Sequence, residues 1–287
     1  MPSLIDIRRR IRSVKNTQQI TKAMKMVSAA KLRRAQERAL ASRPYAEMMR
    51  RVLSNVAAAA AGNEEASRLP LLQARDEKRI QVIVVSSDRG LAGAFNANLF
   101  RRTQRFIDER GAGSMQFEVV GRKGRDYFRR RGYTISGEHL GIIDRPNIEH
   151  AREIADKMID LYSNAQTDAV YIAVNEFKTV MTPNIVLRRV LPVEMPEGGG
   201  EQVDYIYEQS PQELLSELLP RYVEMSIYRA MLESNSAEHG ARMTAMDTAS
   251  SNAGDVIQSL TLNMNRVRQA AITREIIEIV SGAAAAV

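Results

Sequence analysis

Ser86-Ser87-Asp88-Arg89-Gly90-Leu91-Ala92-Gly93 is the stretch of this chain whose residue types could hold an anion. It follows an apolar run that reads as a buried strand, Ile80 to Ser87, and opens a predicted helix from Leu91 to Glu109. Doubly wound folds bind phosphates on backbone amides at that position. The fingerprint is incomplete, because Gly-x-Gly-x-x-Gly is missing and no Gly-Lys-Ser/Thr supplies a P-loop. A structural strand-to-helix turn accounts for the same residues. Gly121, Lys123, Gly124 and Arg125 form a second glycine-and-basic turn, for which the structural reading is stronger still. His139, His150 and His239 lack ligand-like spacing and read as ordinary polar residues. The chain contains no Cys, which removes thiolate metal sites and disulfides and favours a reducing cytoplasmic setting. No Ser/His/Asp grouping or paired-carboxylate motif stands out, although distant positions could still meet in the fold. The sequence predicts no cofactor and no metal.

These residues sit in a stretch of alternating strands and helices. After the first strand and helix come a strand from Phe117 to Gly121, a short basic helix from Arg122 to Arg131, and an extended piece from Tyr133 to Ser136. A helix from Asn147 to Asn164, a strand from Ala169 to Val174 and an extended run from Ile185 to Val193 complete it. The alternation predicts a mostly parallel sheet with helices on both faces, a Rossmann-like α/β domain over residues 80–200. A linker, residues 61–79, precedes it, and the Gly-Gly-Gly of Met195 to Gly200 is a turn or loop.

Two long helical patterns flank this domain, one in residues 1–60 and one in residues 201–287. The fold class is therefore α/β, with a long antiparallel coiled coil of the two ends. The C-terminal pattern from Pro211 to Ser281 would be roughly 100 Å long, too long for a compact domain to bury. Leu4, Ile7, Ile11 and Val14 mark a seam, continued by Ile20, Met24 and Val27 and then, with a small phase shift, by Leu32 and Ala35. Ser3 can cap this helix, with Asp6 in its first turn, and Pro44 should kink or interrupt it. The C-terminal helix answers with Leu219, Val223, Ile227, Ala230, Ala237, Ala241, Ala245, Thr248, Val256, Leu260, Met264 and Val267. Pairing would set Leu4 opposite roughly Met264 and leave the last ~20 residues without a partner helix. That end is apolar, with Ile272, Ile276, Ile277, Ile279 and Val280, so it calls for a socket supplied by other chains.

Composition is that of a soluble protein, 287 residues with 44% hydrophobic and 26% charged. The N-terminus has no apolar core of signal-peptide length, and nowhere do ~18 apolar residues run together. The sequence thus predicts a chain neither secreted nor membrane-spanning. Between Met1 and Arg51 there are fourteen Lys or Arg against three acidic residues, more than the net +7 of the whole chain, so the remainder is net acidic. A basic first helix could be a nucleic-acid footprint, which is the alternative function. It lacks stacking aromatics other than Tyr45, and a solvated face or a match to acidic protein partners explains it better. No nucleic-acid partner is therefore expected.

The N-terminal run Ile5-Asp6-Ile7-Arg8 and Val14-Lys15-Asn16-Thr17-Gln18-Gln19-Ile20-Thr21-Lys22-Ala23-Met24-Lys25-Met26-Val27-Ser28-Ala29-Ala30-Lys31 resembles the gamma subunit of F-type ATP synthases. So do Ser87-Asp88-Arg89-Gly90-Leu91, the stretch from Glu238 to Met246, and the C-terminal run from Arg268 to Ala283. The resemblance implies a non-catalytic rotary shaft at the centre of a ring of three alpha and three catalytic beta subunits. Its globular part would bind the epsilon subunit and sit on the membrane ring of c subunits, so that membrane contact is peripheral. Proton flow would turn ring and shaft, and shaft orientation would bias which conformer each beta subunit adopts. By the same resemblance Arg268 and Gln269, with Thr273 and Glu275 nearby, form a polar grip on a beta-subunit loop. Met24 faces the catalytic subunits, and Lys25 stands beside it. Ile276, Ile277, Ile279 and Val280 form an apolar bearing, and Tyr205 and Glu208 a foot near the c ring and epsilon. The cysteine pair of chloroplast relatives is absent, and the resemblance is to a bacterial type at the cytoplasmic face of the plasma membrane.

Overall fold

The computed structural model describes residues 3–60, 68–177, 183–194 and 209–285. The chain forms two compact units, residues 1–28 with 243–287, and residues 29–242. The longer unit is built on a five-stranded sheet. Its strands are β1 (Ile80–Val85), β2 (Met115–Val120), β3 (Ile135–His139), β4 (Ala169–Phe177) and β5 (Pro183–Leu191). They lie in the order β3-β2-β1-β4-β5, parallel throughout except for β5, which returns antiparallel along β4. β1 is buried along its whole length, as a central parallel strand requires.

Alternate residues of β1 serve opposite cores. Val82 and Val84 pack with Leu99, Phe100, Phe106, Phe117 and Phe128, beneath helices α2 (Phe95–Arg110) and α3 (Arg122–Arg130). Ile83 and Val85 pack with Ile154 and Met158 of α4 (Ile148–Ser163), and with parts of the two long helices. These are α1 (Leu4–Ala59), contributing Leu53 and Val56, and α5 (Pro211–Ala285), contributing Leu219, Val223 and Ile227. Helices thus cover both sheet faces, as the strand-helix alternation predicts.

Element ends differ from expectation where local chemistry overrides pattern. α2 starts at Phe95 rather than Leu91, because Leu91 and Gly93 hold φ of 62° and 55°, which a right-handed helix cannot contain. β4 runs on to Phe177 because β5 pairs with it that far. Helix α1 is not interrupted at Pro44, which sits exposed within 56 continuous helical residues. A lone proline removes one backbone donor, and burial of Met49, Leu53 and Val56 beyond it holds the helix together. Both long helices open on reciprocal caps. Asp6 N donates to Ser3 Oγ at 3.2 Å while Ser3 N donates to Asp6 Oδ2, and Ser210 and Glu213 repeat the arrangement at the start of α5.

The shorter unit is a two-helix seam. A line of covered positions runs through 4, 7, 11, 14, 18, 21, 25 and 28 on α1 and through 246, 250, 253, 257, 260, 264, 267 and 271 on α5, with 24 on α1 and 249, 254, 261 and 265 on α5 half-covered beside it. Both sets follow an unbroken three-and-four repeat. The expected continuation through Ile20 and Val27 is absent. Both point outward, 60% and 58% exposed, and polar Gln18, Thr21 and Ser28 take the seam positions instead. Thr248 and Val256 likewise lie outside the seam on α5, while Leu260, Met264 and Val267 lie in it.

Candidate functional site

The strand-to-helix turns after β1 and β2 pack against each other, and the amides that could hold an anion are already taken by residues of the first turn. Three amides at the start of α3 would face a phosphate in a binding fold. Here Arg122 N donates to Asp88 Oδ1 at 3.1 Å, Lys123 N to the Ser87 carbonyl at 3.0 Å, and Gly124 N to Ser86 Oγ at 2.8 Å. Gly141 N adds a second donor to Asp88 Oδ1 at 3.0 Å. Ser87 is itself fixed, since its amide donates to Asn96 Oδ1 and its hydroxyl to the Arg89 carbonyl. Gly121 has φ 93°, and a Cβ there would strike the Ser86 carbonyl; one on Gly124 would lie 2.8 Å from Ser86 Oγ. The glycines serve close packing of this turn, and a protein carboxylate stands where a ligand's charge would. The turn is structural.

Two polar clusters of the same unit escape the sequence pattern. Glu118, fully buried on β2, accepts from Lys157 Nζ and from Ser136 Oγ at 2.7 and 2.9 Å, and pairs with His139 Nε2 at 2.7 Å. Burial would raise its carboxyl, but hydrogen bonds from His139 and Lys157 and the Lys157 charge hold it below the ordinary value. The signal in the sequence is one acidic residue inside the apolar run Phe117 to Val120. The second cluster joins α1, the loop after β3 and α5. Lys31 Nζ lies 2.7 Å from Asp144 Oδ1, His239 Nε2 lies 3.6 Å from the same oxygen, and Arg242 binds Glu238 at 2.6 Å and reaches the Gly90 carbonyl at 3.4 Å. Burial lowers His239 to about 4, helped by the Arg242 and Lys31 charges and opposed by Asp144. Among the described residues no group of three or more His, Cys, Asp or Glu could hold a metal ion.

The residues expected to grip other subunits lie on the shorter unit. Arg268, Gln269, Thr273 and Glu275 are all exposed on α5, which continues as helix to Ala285. Thr273 Oγ1 donates to its own helix at the Gln269 carbonyl, 3.0 Å away. Ile276, Ile277, Ile279 and Val280 are exposed too. At ~100° per residue, Ile272, Ile276 and Ile279 fall on a strip between Arg268 with Glu275 on one side and Gln269 with Thr273 on the other. That strip is turned away from the 264, 267 and 271 seam positions, so polar and apolar groups share one free face. Met24 is half-buried at the seam edge, and the Lys25 ammonium beside it lies 2.6 Å from Asp247 on α5. Tyr205 and Glu208 lie outside the described residues.

The chain matches the family model described as "ATP synthase" over residues 3–286. It is 59% identical to the ATP synthase gamma chain of Solibacter usitatus (strain Ellin6076), over 100% of both chains. It is 50% identical to that of Pelotomaculum thermopropionicum, over 99% of both. The chain belongs to the ATP synthase gamma-chain family. As a gamma chain it is a non-catalytic subunit of an ATP synthase. The fold agrees with a chain of the Euglena gracilis mitochondrial ATP synthase (OSCP/F1/c-ring, rotational state 3), at TM-score 0.70 and 18% identity, covering 98% of this chain and 94% of that one. A chain of the Tetrahymena thermophila mitochondrial ATP synthase central stalk and c ring gives TM-score 0.61 at 23% identity, covering 80% of this chain and 99% of that one. No helix among the described residues is long and apolar enough to cross a membrane.

Proposed function

We propose that this gamma chain couples rotation to ATP synthesis or hydrolysis through the free face of α5. Arg268, Gln269, Thr273 and Glu275 grip a loop of the beta subunit, and Met24 faces the same subunits. Ile276, Ile277, Ile279 and Val280 turn as a bearing in an apolar sleeve. One shaft serves three alpha-beta pairs, and its other end, with Tyr205 and Glu208, meets epsilon and the c ring at the cytoplasmic face of a bacterial plasma membrane. By the same reading residues 1–60 and 201–287 are the shaft, and 80–200, joined by 61–79, the domain that docks at its foot.

The observation that carries this reading is that the polar groups of Arg268, Gln269, Thr273 and Glu275 are exposed beside exposed isoleucines toward the end of α5. A helix exposing several large apolar side chains in regular array is built to be covered, and the polar groups beside them give a directional contact that can carry torque. Orientation then acts as the ligand does in a population shift: the contact is better with one beta-subunit conformer than another, and rotation moves that preference around the ring.

Native mass spectrometry with matched alpha and beta subunits, alongside ATPase turnover, tests the assembly. One copy captured by three alpha-beta pairs, with turnover appearing only then, is the expected result; retention on nucleic acid at moderate salt without such a complex would support the basic-helix alternative instead. Alanine at Arg268 and Gln269 together should lower coupled turnover at least severalfold while the complex still assembles, and unchanged turnover would remove the grip.

A further inference from the structure

The seam between α1 and α5 has two halves of different chemistry. Leu4, Ile7, Ile11 and Val14 run antiparallel to Ile257, Leu260, Met264 and Val267. These are interchangeable aliphatic groups, and sliding one helix by a heptad replaces each contact by another of the same kind. Such a step is about 10 Å along the axis. The other half is directional. Thr21 Oγ1 and Ser250 Oγ are buried 2.7 Å apart, and Gln18 Nε2 donates to the Ser250 carbonyl at 3.1 Å. A Cβ on Gly254 would lie 3.2 Å from that amide nitrogen, so the glycine makes room for the glutamine.

We propose that Thr21 and Ser250, with Gln18, are positioning residues that pin the register of the two helices and so fix the height at which Arg268 to Glu275 are presented. This rests on the shaft reading above. Each hydroxyl also has a partner on its own helix, Thr21 at the Gln18 carbonyl, 3.0 Å, and Ser250 at the Met246 carbonyl, 2.8 Å. Each has one proton, so one hydroxyl donates across the seam and the other donates to its own helix. Removing both hydroxyls leaves apolar groups facing apolar groups, which costs little stability. What is weakened is the distinction between the native alignment and a displaced one, the role a single buried polar pair plays in other coiled coils, with only the Gln18 bond and the exposed Lys25–Asp247 pair left to favour the native one. In an alignment displaced by one heptad, Ser250 would face Val14 or Ser28 and Thr21 would face Ile257 or Met243. The first arrangement leaves both hydroxyls without a polar partner across the seam, and the second gives Ser250 the Ser28 hydroxyl but sets Thr21 against Ile257.

Because the chain has no Cys, spin labels can be placed uniquely at the exposed positions Lys22 and Thr248 of the full-length chain, and their separation read by pulsed electron paramagnetic resonance. The wild type and Thr21→Ser should give one narrow distance distribution. Thr21→Val with Ser250→Ala should add a second population or broaden the first severalfold, with a melting temperature within a few degrees of wild type; if that pair unfolds, Ser250→Ala alone carries the comparison. In the reconstituted complex the same double variant should pump at least twofold fewer protons per ATP hydrolysed while hydrolysis persists, and Thr21→Ser should keep the wild-type ratio. An unchanged distance distribution overturns the pin. A changed distribution with unchanged pumping overturns its part in coupling. A wild-type chain that fails to couple the ring at all overturns the shaft reading instead, leaving the distance measurement to stand alone.

Discussion

His239 is 3% exposed on α5, and its imidazole is held neutral. Burial lowers its pKa to about 4, and the Arg242 and Lys31 charges add to the effect while Asp144 opposes it. In the unfolded chain the ring titrates near ~6.5. The unfolded state therefore binds the proton first, so the stability held by this group is complete above ~6.5 and is lost as pH falls toward 4. By pH 5 the loss amounts to roughly 2 kcal/mol. Glu238 has the opposite sign, because burial raises its carboxyl despite Arg242, and protonation relieves it. Thermal unfolding at pH 7 and pH 5 should show a drop in midpoint for the wild type and a smaller one for His239→Gln. Equal drops would mean that the acid sensitivity resides elsewhere. In the sequence His239 read as an ordinary polar residue, since nothing in its spacing announces the Asp144 and Lys31 side chains brought to it by the loop after β3 and by α1.

At the scale of elements, what could be read in advance was what repeats. The strand-helix alternation predicts the sheet because each parallel strand needs a crossover, and β1 advertises its central place by five apolar residues among its six, Gln81 being the exception. The lower seam was legible at Leu4, Ile7, Ile11 and Val14 for the same reason. It became illegible where apolar residues and seam positions part company: following hydrophobicity leads to Ile20 and Val27, while the helix geometry keeps to Gln18, Thr21, Lys25 and Ser28. Hydrophobic pattern reports what a helix buries in all its contacts, and a helix with two kinds of partner carries two overlapping patterns. The residues proposed as a grip are singled out only by resemblance, because exposed Arg, Gln and Thr on a helix have no periodic signature. This division of faces is measurable. Ile7, 1% exposed, should cost about 2–4 kcal/mol when replaced by Ala, whereas Ile20→Ala should stay within roughly 0.5 kcal/mol in the isolated chain. Comparable losses in thermal or urea unfolding would restore Ile20 to the seam.

At the scale of the whole molecule, the distribution of charge and apolar surface describes a subunit rather than a self-sufficient protein. Basic residues concentrate in the first fifty positions, and the exposed isoleucines concentrate at the other end of the chain. Single exposed apolar residues are ordinary on soluble proteins, but Ile272, Ile276, Ile277, Ile279 and Val280 follow one another along less than three turns of one helix. Apolar area in that density is removed from water whenever a second apolar surface is offered. In isolation the chain should find that surface on another copy of itself, so the isolated wild type should self-associate at micromolar to millimolar concentrations. Ile276, Ile277, Ile279 and Val280 replaced together by Ser should stay monomeric under sedimentation velocity, with the fold of residues 29–242 intact by circular dichroism. The same variant should be captured severalfold more weakly by an alpha-beta ring, because the contact that drives self-association is the one the ring covers. A wild type that stays monomeric throughout, captured no better than the serine variant, would show that the isoleucines turn in water and that the grip beside them holds the shaft alone.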